Sequence, residues 1–306
     1  MTTHTHSSPA ATDRLLRALS AQGGIACWLA DTRTIAQCAA DTHRLSPIAA
    51  AALGRTLTMT AFLAQTLKAE TARLSVSIKG AGPLGGILTA TDGWGHLKGY
   101  VQNPAVFLPP NDRGKLDVAG AVCDHRPDTG SLTVIRDMGL KEPYTGRVAL
   151  RTGEIAEDFA YYLTVSEQTP SAVSLGVLMG EDGNVLASGG ILLQTLPGVT
   201  EEELGAVEAA LPALDGISQL LHTGMALEDI LTGPLAALHF TVLEEHHPAF
   251  CCDCSRERLE EVLLSMGNDL ADLISDGQAT LHCHFCNTEY YFDKAALEAL
   301  WRLGGR

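Results

Sequence analysis

Five of the chain's eight cysteines lie in two short runs near its C-terminal end. The first run holds Cys251, Cys252 and Cys254, and the second holds Cys283 and Cys286 after a spacer of 28 residues. Paired thiolates at this spacing are typical ligands of a tetrahedral zinc ion. The sequence therefore predicts a four-thiolate centre, and the remaining chain must indicate whether its metal is a structural support or a switch.

The spacing does not decide which cysteine provides one of the four ligands. Both Cys251-x-x-Cys254 and Cys252-x-Cys254 occur in the first run, and either pair completes four sulfurs with the second run. Four histidines lie nearby in the sequence, namely His246, His247, His282 and His284. Because four thiolates are already available, we expect these imidazoles not to bind the metal.

The segment around the cysteines is too small to fold by burial alone. Residues 256–275 have helical apolar spacing, with Ser255 as N-cap and a break predicted at 267–269, and an aromatic strand is predicted at 289–292. About 50 residues cannot bury enough apolar surface for an independent core. Structural zinc contributes an apparent ~10–16 kcal/mol to such modules, so we expect folding here to require the metal.

Composition limits the remaining possibilities. The chain has 306 residues and no uninterrupted apolar run near the length of about 20 residues that a membrane span needs. Residues 1–12 lack the features of a secretory signal, and we expect a disordered tip on a cytoplasmic protein. In a reducing compartment, eight cysteines favour free thiols or a metal over permanent disulfides.

The charge is concentrated in the C-terminal third. Residues 201–306 carry 5 basic and 19 acidic side chains, which accounts for −14 of the formal net charge of −15. Nucleic-acid binding depends on basic side chains that neutralise phosphates. The acidic field therefore argues against a nucleic-acid-binding zinc finger.

The first two hundred residues predict a mixed α+β domain over 13–198. Helices are expected at 13–22, 46–67 and 153–162, and strands at 74–79, 86–90, 96–101, 115–122, 131–137, 147–150, 172–179 and 185–193. The glycine-rich loop at 80–85 resembles a dinucleotide fingerprint, but Pro83 interrupts it, a strand follows it, and position 105 is Ala. A hairpin turn is the better interpretation, and we infer no nucleotide chemistry.

Other residues of this domain that could do chemistry show no partner in the sequence. Glu154, Glu157 and Asp158 cluster at a helix start, where carboxylates usually serve the helix. Three cysteines and three histidines are widely spaced: Cys27, Cys38, Cys123, His43, His96 and His125. We expect buried apolar roles for these thiols, and surface or hydrogen-bonded roles for the imidazoles.

Residues 199–245 predict a helical linker. Thr200 and Glu203 fit a capping box, and an apolar stripe with helical spacing runs through 204–221, followed by a short helix at 226–231 and a strand at 238–243. Such short amphipathic helices must lie on a neighbour. Two interpretations remain open: permanent packing onto the first domain, or a cover that can be removed. The whole chain is thus predicted as α+β, with a small four-cysteine zinc module at 246–306.

The cysteine pattern resembles the redox-regulated 33 kDa heat-shock chaperone family, whose signature is Cys-x-Cys, a helical spacer and Cys-x-x-Cys. Here these are Cys252-Asp-Cys254 and Cys283-His-Phe-Cys286. Further similar stretches are DMGLKEPYTG at 137–146, GEIAED at 153–158, SEQTPS at 166–171 and GGILLQTLPG at 189–198. The chain departs from the family pattern at Cys251, at 123–126 and at Lys98. The resemblance, and not the spacing, favours Cys252 over Cys251.

The resemblance implies a function as well as a fold. Members are ATP-independent holdases, not enzymes, and are inactive while reduced with one zinc ion on four thiolates. Carried over, the ligands and redox-active residues are Cys252, Cys254, Cys283 and Cys286, which oxidation joins as Cys252–Cys254 and Cys283–Cys286. Zinc is then lost, the module and linker unfold, and the exposed apolar surface binds unfolding proteins. The resemblance implies a homodimer when activated, and we expect a monomer when reduced and no nucleic-acid or membrane partner.

Two other functions compete with a holdase. A thiol–disulfide oxidoreductase could use Cys283-x-x-Cys286, although the βαβ context typical of that motif is missing from the sequence. A binding protein with a permanent zinc support would keep its metal under mild peroxide. We rank the holdase first because both the tail and the first domain favour it.

Overall fold

The computed structural model describes residues 13–67 and 69–304, so the tip predicted at 1–12 lies outside the described residues. The chain divides into two compact units, Met1–Phe250 and Cys251–Arg306. The predicted mixture of sheets and helices is confirmed. The segment 199–245 belongs to the first unit.

The described part of the first unit contains two sheets, ordered β10-β1-β2-β9-β8 and β11-β5-β4-β3-β6-β7. Its strands are β1 Arg14–Leu19, β2 Ile25–Asp31, β3 Arg73–Lys79, β4 Gly86–Asp92, β5 His96–Val101, β6 Ser131–Asp137, β7 Tyr144–Ala149, β8 Ser171–Met179, β9 Val185–Thr195, β10 Thr241–His246 and β11 Ala249–Phe250. Its helices are α1 Arg33–His43, α2 Pro47–Ala64, α3 Val118–Cys123, α4 Ile155–Val165, α5 Glu201–Leu214, α6 Ile217–His222 and α7 Leu227–Thr232, with a short 3-10 helix at Ala236–Leu238.

Helix α2 is the centre of the larger core. It begins where predicted, with Pro47 in its first turn and the Ser46 hydroxyl accepting a hydrogen bond from the amide of Ala49 at 3.3 Å. Almost every residue of α2 is buried between elements of both sheets. The helix is long and apolar enough to cross a membrane, but 89% of it is buried inside the unit, as in the core helix of a soluble protein.

The helix predicted at 13–22 is wrong, because this segment is strand β1. Leu15 packs in the core around α2, whereas Leu16 and Ala18 pack in a second core on the opposite face of the sheet. A strand that is covered on both faces needs consecutive apolar residues, which removes the simple alternation by which strands are recognised.

The strand predicted at 115–122 is also wrong. Its second half forms helix α3, because the Asp117 carboxylate accepts a hydrogen bond from the amide of Gly120 at 2.9 Å and caps the helix. The hairpin predicted at the glycine-rich loop is confirmed, since β3 pairs antiparallel with β4 on either side of it. Strand β2 and helix α1 were not predicted.

The linker helices cover the outer face of the five-stranded sheet. The helical stripe predicted at 204–221 is divided between α5 and α6, which are separated by Asp215 and Gly216. The second core combines apolar side chains of the sheet with those of the linker: Leu16, Ala18, Ile25, Cys27, Leu29, Ile191 and Leu193 with Val207, Ala210, Leu214, Ile217, Leu227, Ile230, Leu231, Leu235 and Leu238. The apolar stripe of the linker is thus packed on the first unit.

Glu203 fixes the start of the linker. The predicted capping box is confirmed, and the buried carboxylate also accepts hydrogen bonds from the Ser20 hydroxyl at 2.6 Å and the Gly24 amide at 3.1 Å. Burial opposes its ionisation, but the hydrogen bonds from Ser20, Thr200 and Gly24 outweigh this and lower the pKa of Glu203. The carboxylate therefore ties α5 to the β1–β2 turn.

We expect Glu203→Ala to lower the free energy of unfolding of the reduced protein by about 2 kcal/mol, because it leaves several buried donors unpaired. Glu201→Ala, at an exposed position of the same helix turn, should change it by less than about 0.5 kcal/mol. Urea unfolding followed by circular dichroism measures both values, and equal effects would contradict this role of Glu203.

The same contribution should depend on pH. Because the folded pKa of Glu203 lies below its ordinary value, its stabilisation is complete above the unfolded pKa of about 4.3 and is lost as the pH falls through the folded pKa. The difference between the wild type and Glu203→Ala should therefore narrow below about pH 4.

Candidate metal centre

The second unit consists of two helices, a hairpin and a final helix. Its elements are α8 Arg256–Ser265, α9 Asp269–Asp276, β12 Gln278–His282, β13 Glu289–Asp293 and α10 Lys294–Leu303. The break predicted at 267–269 and the aromatic strand are confirmed. Within residues 251–304 the buried core contains only Leu263, Leu270, Ala279, Phe292, Leu297 and Leu300. This core is small for a unit that must hold two cysteine loops in place.

The first cysteine loop is fixed by helix α8. The Ser255 hydroxyl accepts a hydrogen bond from the amide of Arg258 at 3.3 Å, as predicted for the N-cap. The Arg258 guanidinium folds back and donates to the carbonyl of Asp253 at 2.9 Å and to its carboxylate. The residue between Cys252 and Cys254 is therefore held by the helix that follows.

The second cysteine loop is the turn of the β12–β13 hairpin. The amide of Cys283 donates to the carbonyl of Thr288 at 3.0 Å, and the amide of Asn287 donates to the carbonyl of Cys283 at 2.8 Å. Asn287 has a φ of 56°, a left-handed conformation that Asn tolerates better than most residues. Both Cys283 and Cys286 thus lie in a tight hydrogen-bonded turn.

The two loops bring four sulfur atoms together. Those of Cys252, Cys254, Cys283 and Cys286 all lie within 4.8 Å of one another. Two of the separations are 3.2 Å for Cys254–Cys286 and 3.7 Å for Cys252–Cys283. A tetrahedral zinc site with bonds of about 2.3 Å places its sulfurs about 3.8 Å apart, so the spacing and the soft donors fit a metal ion such as zinc.

Cys251 is exposed and does not belong to this group among the described residues. The geometry is therefore compatible with Cys252 as the fourth donor, and the ligand assignment itself stays a prediction.

The environment of the thiols favours a bound cation. Burial and the neighbouring cysteines raise the pKa of Cys252, and burial raises the pKa of Cys254 to about 11. Burial also acts on Cys286, but hydrogen bonds from Thr288 and from neighbouring thiols lower its pKa. Several thiolates at this separation repel one another, and a metal ion provides the opposing charge.

Two polar side chains, which were not predicted from the sequence, lie against the sulfurs, and a third supports the strand beside them. The Tyr290 hydroxyl lies 3.2 Å from the sulfur of Cys254, and the Thr288 hydroxyl lies 3.2 Å from that of Cys286. Arg256 donates to the carbonyl of Tyr291 at 2.9 Å. Their proximity to the cysteine runs in the sequence was the only available signal.

The predicted bystander histidines lie outside the group of four sulfurs. The rings of His282 and His284 contact each other edge to face, with centroids 5.6 Å apart. In the first unit, His246 hydrogen-bonds Glu244 at 3.1 Å, and His247 lies 3.2 Å from the carbonyl of Asp13. These contacts give the imidazoles other partners.

The remaining candidates of the first domain have structural contacts. Asp158 is buried and accepts hydrogen bonds from the amides of residues 151–153, and Glu154 forms an ion pair with Arg55 at 2.8 Å. Glu157 lies in the first turn of α4, as expected for a helix-start carboxylate. The isolated cysteines and histidines are placed as follows: Cys27, Cys123 and His43 are buried, Cys38 is half-buried, His96 pairs with Asp92, and His125 pairs with Asp117.

The Cys283-x-x-Cys286 turn does not resemble the site of a thiol–disulfide oxidoreductase. It connects two antiparallel strands, whereas the redox motif of that class lies beside a βαβ unit. The second loop is instead one half of the four-sulfur group.

Comparison with known proteins finds relatives along nearly the whole chain. The Hsp33 protein family model matches residues 13–293. The chain is 43% identical over 293 residues to the 33 kDa chaperonin of Thermoanaerobacter sp. strain X514, with 95% of this chain and 98% of the relative covered. It is 44% identical over 290 residues to that of Desulforamulus reducens, with 94% and 97% covered.

A solved structure is also similar. The crystal structure of the 33 kDa chaperonin (HSP33) from Thermotoga maritima matches with a TM-score of 0.83 and 33% identity, and the match covers 95% of this chain and 98% of that one. Family model, sequence and fold agree over nearly the whole chain, and the chain belongs to the Hsp33 family of 33 kDa chaperonins.

Proposed function

We propose that this chaperone is a redox-regulated, ATP-independent holdase that is inactive while reduced. The observation that supports the proposal most strongly is the group of four sulfur atoms in a unit with a very small core. Such a unit loses its fold when its sulfur atoms change their chemical state. Family membership supports a chaperone that binds unfolded proteins.

In the reduced form, one zinc ion would be bound by four thiolates, which are those of Cys252, Cys254, Cys283 and Cys286. The ion supplies the positive charge that keeps four crowded sulfurs deprotonated, together with binding free energy of about 10–16 kcal/mol in comparable modules. Arg258, Tyr290 and Thr288 orient the two loops, through the contacts described above. Thiolate is also the form of cysteine that reacts with oxidants.

Oxidation would join the cysteines that are closest in the sequence, as Cys252–Cys254 and Cys283–Cys286. For each disulfide, two thiolates give two electrons to hydrogen peroxide, which takes up two protons and becomes two water molecules. The small ring closed by Cys252-x-Cys254 is strained, which suits a reversible bond. The site then has no thiolate donors for a metal ion.

Loss of the donors would unfold the second unit and then the linker. The apolar side chains that α5, α6 and α7 cover on the five-stranded sheet would become available, Leu16, Ile25 and Leu193 among them. This surface would bind unfolding client proteins and prevent their aggregation under oxidative stress. We further propose a cytoplasmic protein that is a monomer when reduced and a homodimer when active.

The oxidised protein should suppress the aggregation of a thermally unfolding client, and the reduced zinc-loaded protein should not. Light scattering of citrate synthase with equal amounts of both forms, without ATP, measures this difference. Re-reduction in the presence of zinc provides the control. Equal suppression by both forms would contradict a redox switch.

We expect Cys252→Ser to lose zinc and redox control, because it removes one of the four clustered sulfurs. Cys251→Ser is the matched control at the adjacent exposed position and should keep about one zinc ion per chain. Metal analysis of the reduced proteins and the scattering assay together measure both effects. The opposite result would assign Cys251 as the ligand.

Metal loss and unfolding should occur together. During peroxide treatment, a chelating dye should report zinc release while the circular dichroism of helices α8, α9 and α10 decreases with the same time course. Disulfide mapping of the product tests the proposed pairs against the cross pairs Cys254–Cys286 and Cys252–Cys283, whose sulfurs lie close together here. Zinc release with unchanged helix content would separate oxidation from unfolding.

A further inference from the structure

Strand β10 is an edge strand whose side chains bury very little apolar surface. It lies outside β1 in the five-stranded sheet, and five of its six residues are exposed. Even its apolar residues Val242 and Leu243 are 41% and 49% exposed. The hydrophobic effect therefore contributes little to holding β10 in place.

The strand is held by backbone hydrogen bonds and by ion pairs near the surface. Its antiparallel ladder with β1 is interrupted by an irregularity at Leu243, which weakens pairing there. Arg14 pairs with Glu245 at 2.6 Å, and Arg17 pairs with Glu244 at 2.6 Å. These side chains are 34–48% exposed, and ion pairs of this kind contribute little to stability.

The neighbouring strand β1, in contrast, has deeply buried apolar side chains. Leu15, Leu16 and Ala18 of β1 are at most 1% exposed and belong to the two cores on either face of the sheet. Departure of β10 would leave β1 as an apolar edge strand with unpaired amides and carbonyls. Such an edge readily accepts another extended chain.

We propose that the edge of β1 is a binding site for an extended client segment, and that β10 occupies this site in the reduced protein. The inference rests on the proposed holdase function. It adds that extended client segments are bound by pairing with the edge of β1. Backbone pairing is independent of side-chain sequence, which suits a chaperone with many clients.

Charge indicates which segments fit best. Strand β10 places an apolar pair, Val242 and Leu243, directly before Glu244 and Glu245, which meet Arg17 and Arg14. A client strand with apolar residues beside acidic ones would repeat these contacts. We therefore expect apolar–acidic segments to bind in preference to apolar–basic ones.

Residue-resolved hydrogen exchange of the full chain tests the proposal. Alternate amides of β1 point to β10 and to β2, because neighbouring residues of a strand bond to opposite sides. On oxidation, the amides that face β10 should lose protection by about tenfold or more, and bound unfolded client should restore it. The amides that face β2 are the internal control and should stay protected.

Two exchange results would overturn the inference while leaving the holdase function intact. One is suppression of aggregation by oxidised protein whose β10-facing amides remain protected. The other is loss of their protection without recovery when client binds, which would place the clients elsewhere. If oxidation produced no holdase activity, the proposed function and this inference would both fail.

A peptide provides a second measurement that needs no variant of the protein. A labelled peptide with the sequence of residues 240–247 should bind the oxidised chain in fluorescence anisotropy and bind the reduced chain far less. The same peptide with lysines at the positions of Glu244 and Glu245 should bind several-fold more weakly, because two weak attractions to Arg17 and Arg14 become two repulsions. Equal binding of the two peptides would contradict the charge preference, and no binding of either would contradict the β1 site.

The contribution of the arginines is tested by Arg17→Glu, with Arg113→Glu at an exposed loop position as its matched control. The first variant should reverse the preference between the two peptides, and the control should leave it unchanged. An unaltered preference in Arg17→Glu would remove Arg17 from the site.

Discussion

The second unit brings four sulfur atoms to within 4.8 Å of one another around a core of only six buried side chains over residues 251–304. Burial raises the pKa of Cys252 and of Cys254, so these thiols resist ionisation in the absence of a cation. A bound metal ion would reverse this balance, because four thiolates would then surround a positive charge. With a metal bound in this way, the folding of the unit would be coupled to the chemical state of its cysteines.

In the first unit, different helices pack on the two faces of the five-stranded sheet. On one face lies α2, a helix buried along most of its length, and on the other lie the short helices of the linker. The first cover is continuous and deeply packed, whereas the second consists of segments of six to fourteen residues. Short helices gain most of their stability from packing, so we expect the linker helices to be lost more easily than the core around α2.

Local signals predicted much of this architecture. Ser46, the capping box of Thr200 and Glu203, and the Ser255 cap each mark a helix start that the structure shows. The failures lie where distant contacts decide the conformation. Segment 13–22 is a strand because two separate cores each need part of its apolar surface, and neither core is visible in the sequence of that segment.

The site was predictable in kind but not in its details. Residue types and spacing indicated a four-sulfur centre, yet spacing could not choose between Cys251 and Cys252, since the choice depends on which side chain the loop turns inward. Arg258 and Tyr290 were not predicted, because their roles depend on the folded chain. Arg258 contacts the backbone carbonyl of Asp253, and Tyr290 contacts the sulfur of Cys254, which is distant in the sequence. Such contacts leave no periodic trace in a sequence.

The two ends of the linker are attached with unequal strength, and this inequality would give its proposed release a direction. At the start, the buried carboxylate of Glu203 binds several donors of the β1–β2 turn and of α5. At the end, β10 depends on a bulged ladder and on exposed ion pairs of Arg14 and Arg17. The short strand β11, which pairs with β5, lies between β10 and Cys251, so a disturbance that begins at the metal centre would reach β11 and β10 before it reaches α5. Release should then proceed from β10 towards α5, with the edge of β1 uncovered before the apolar face of the sheet.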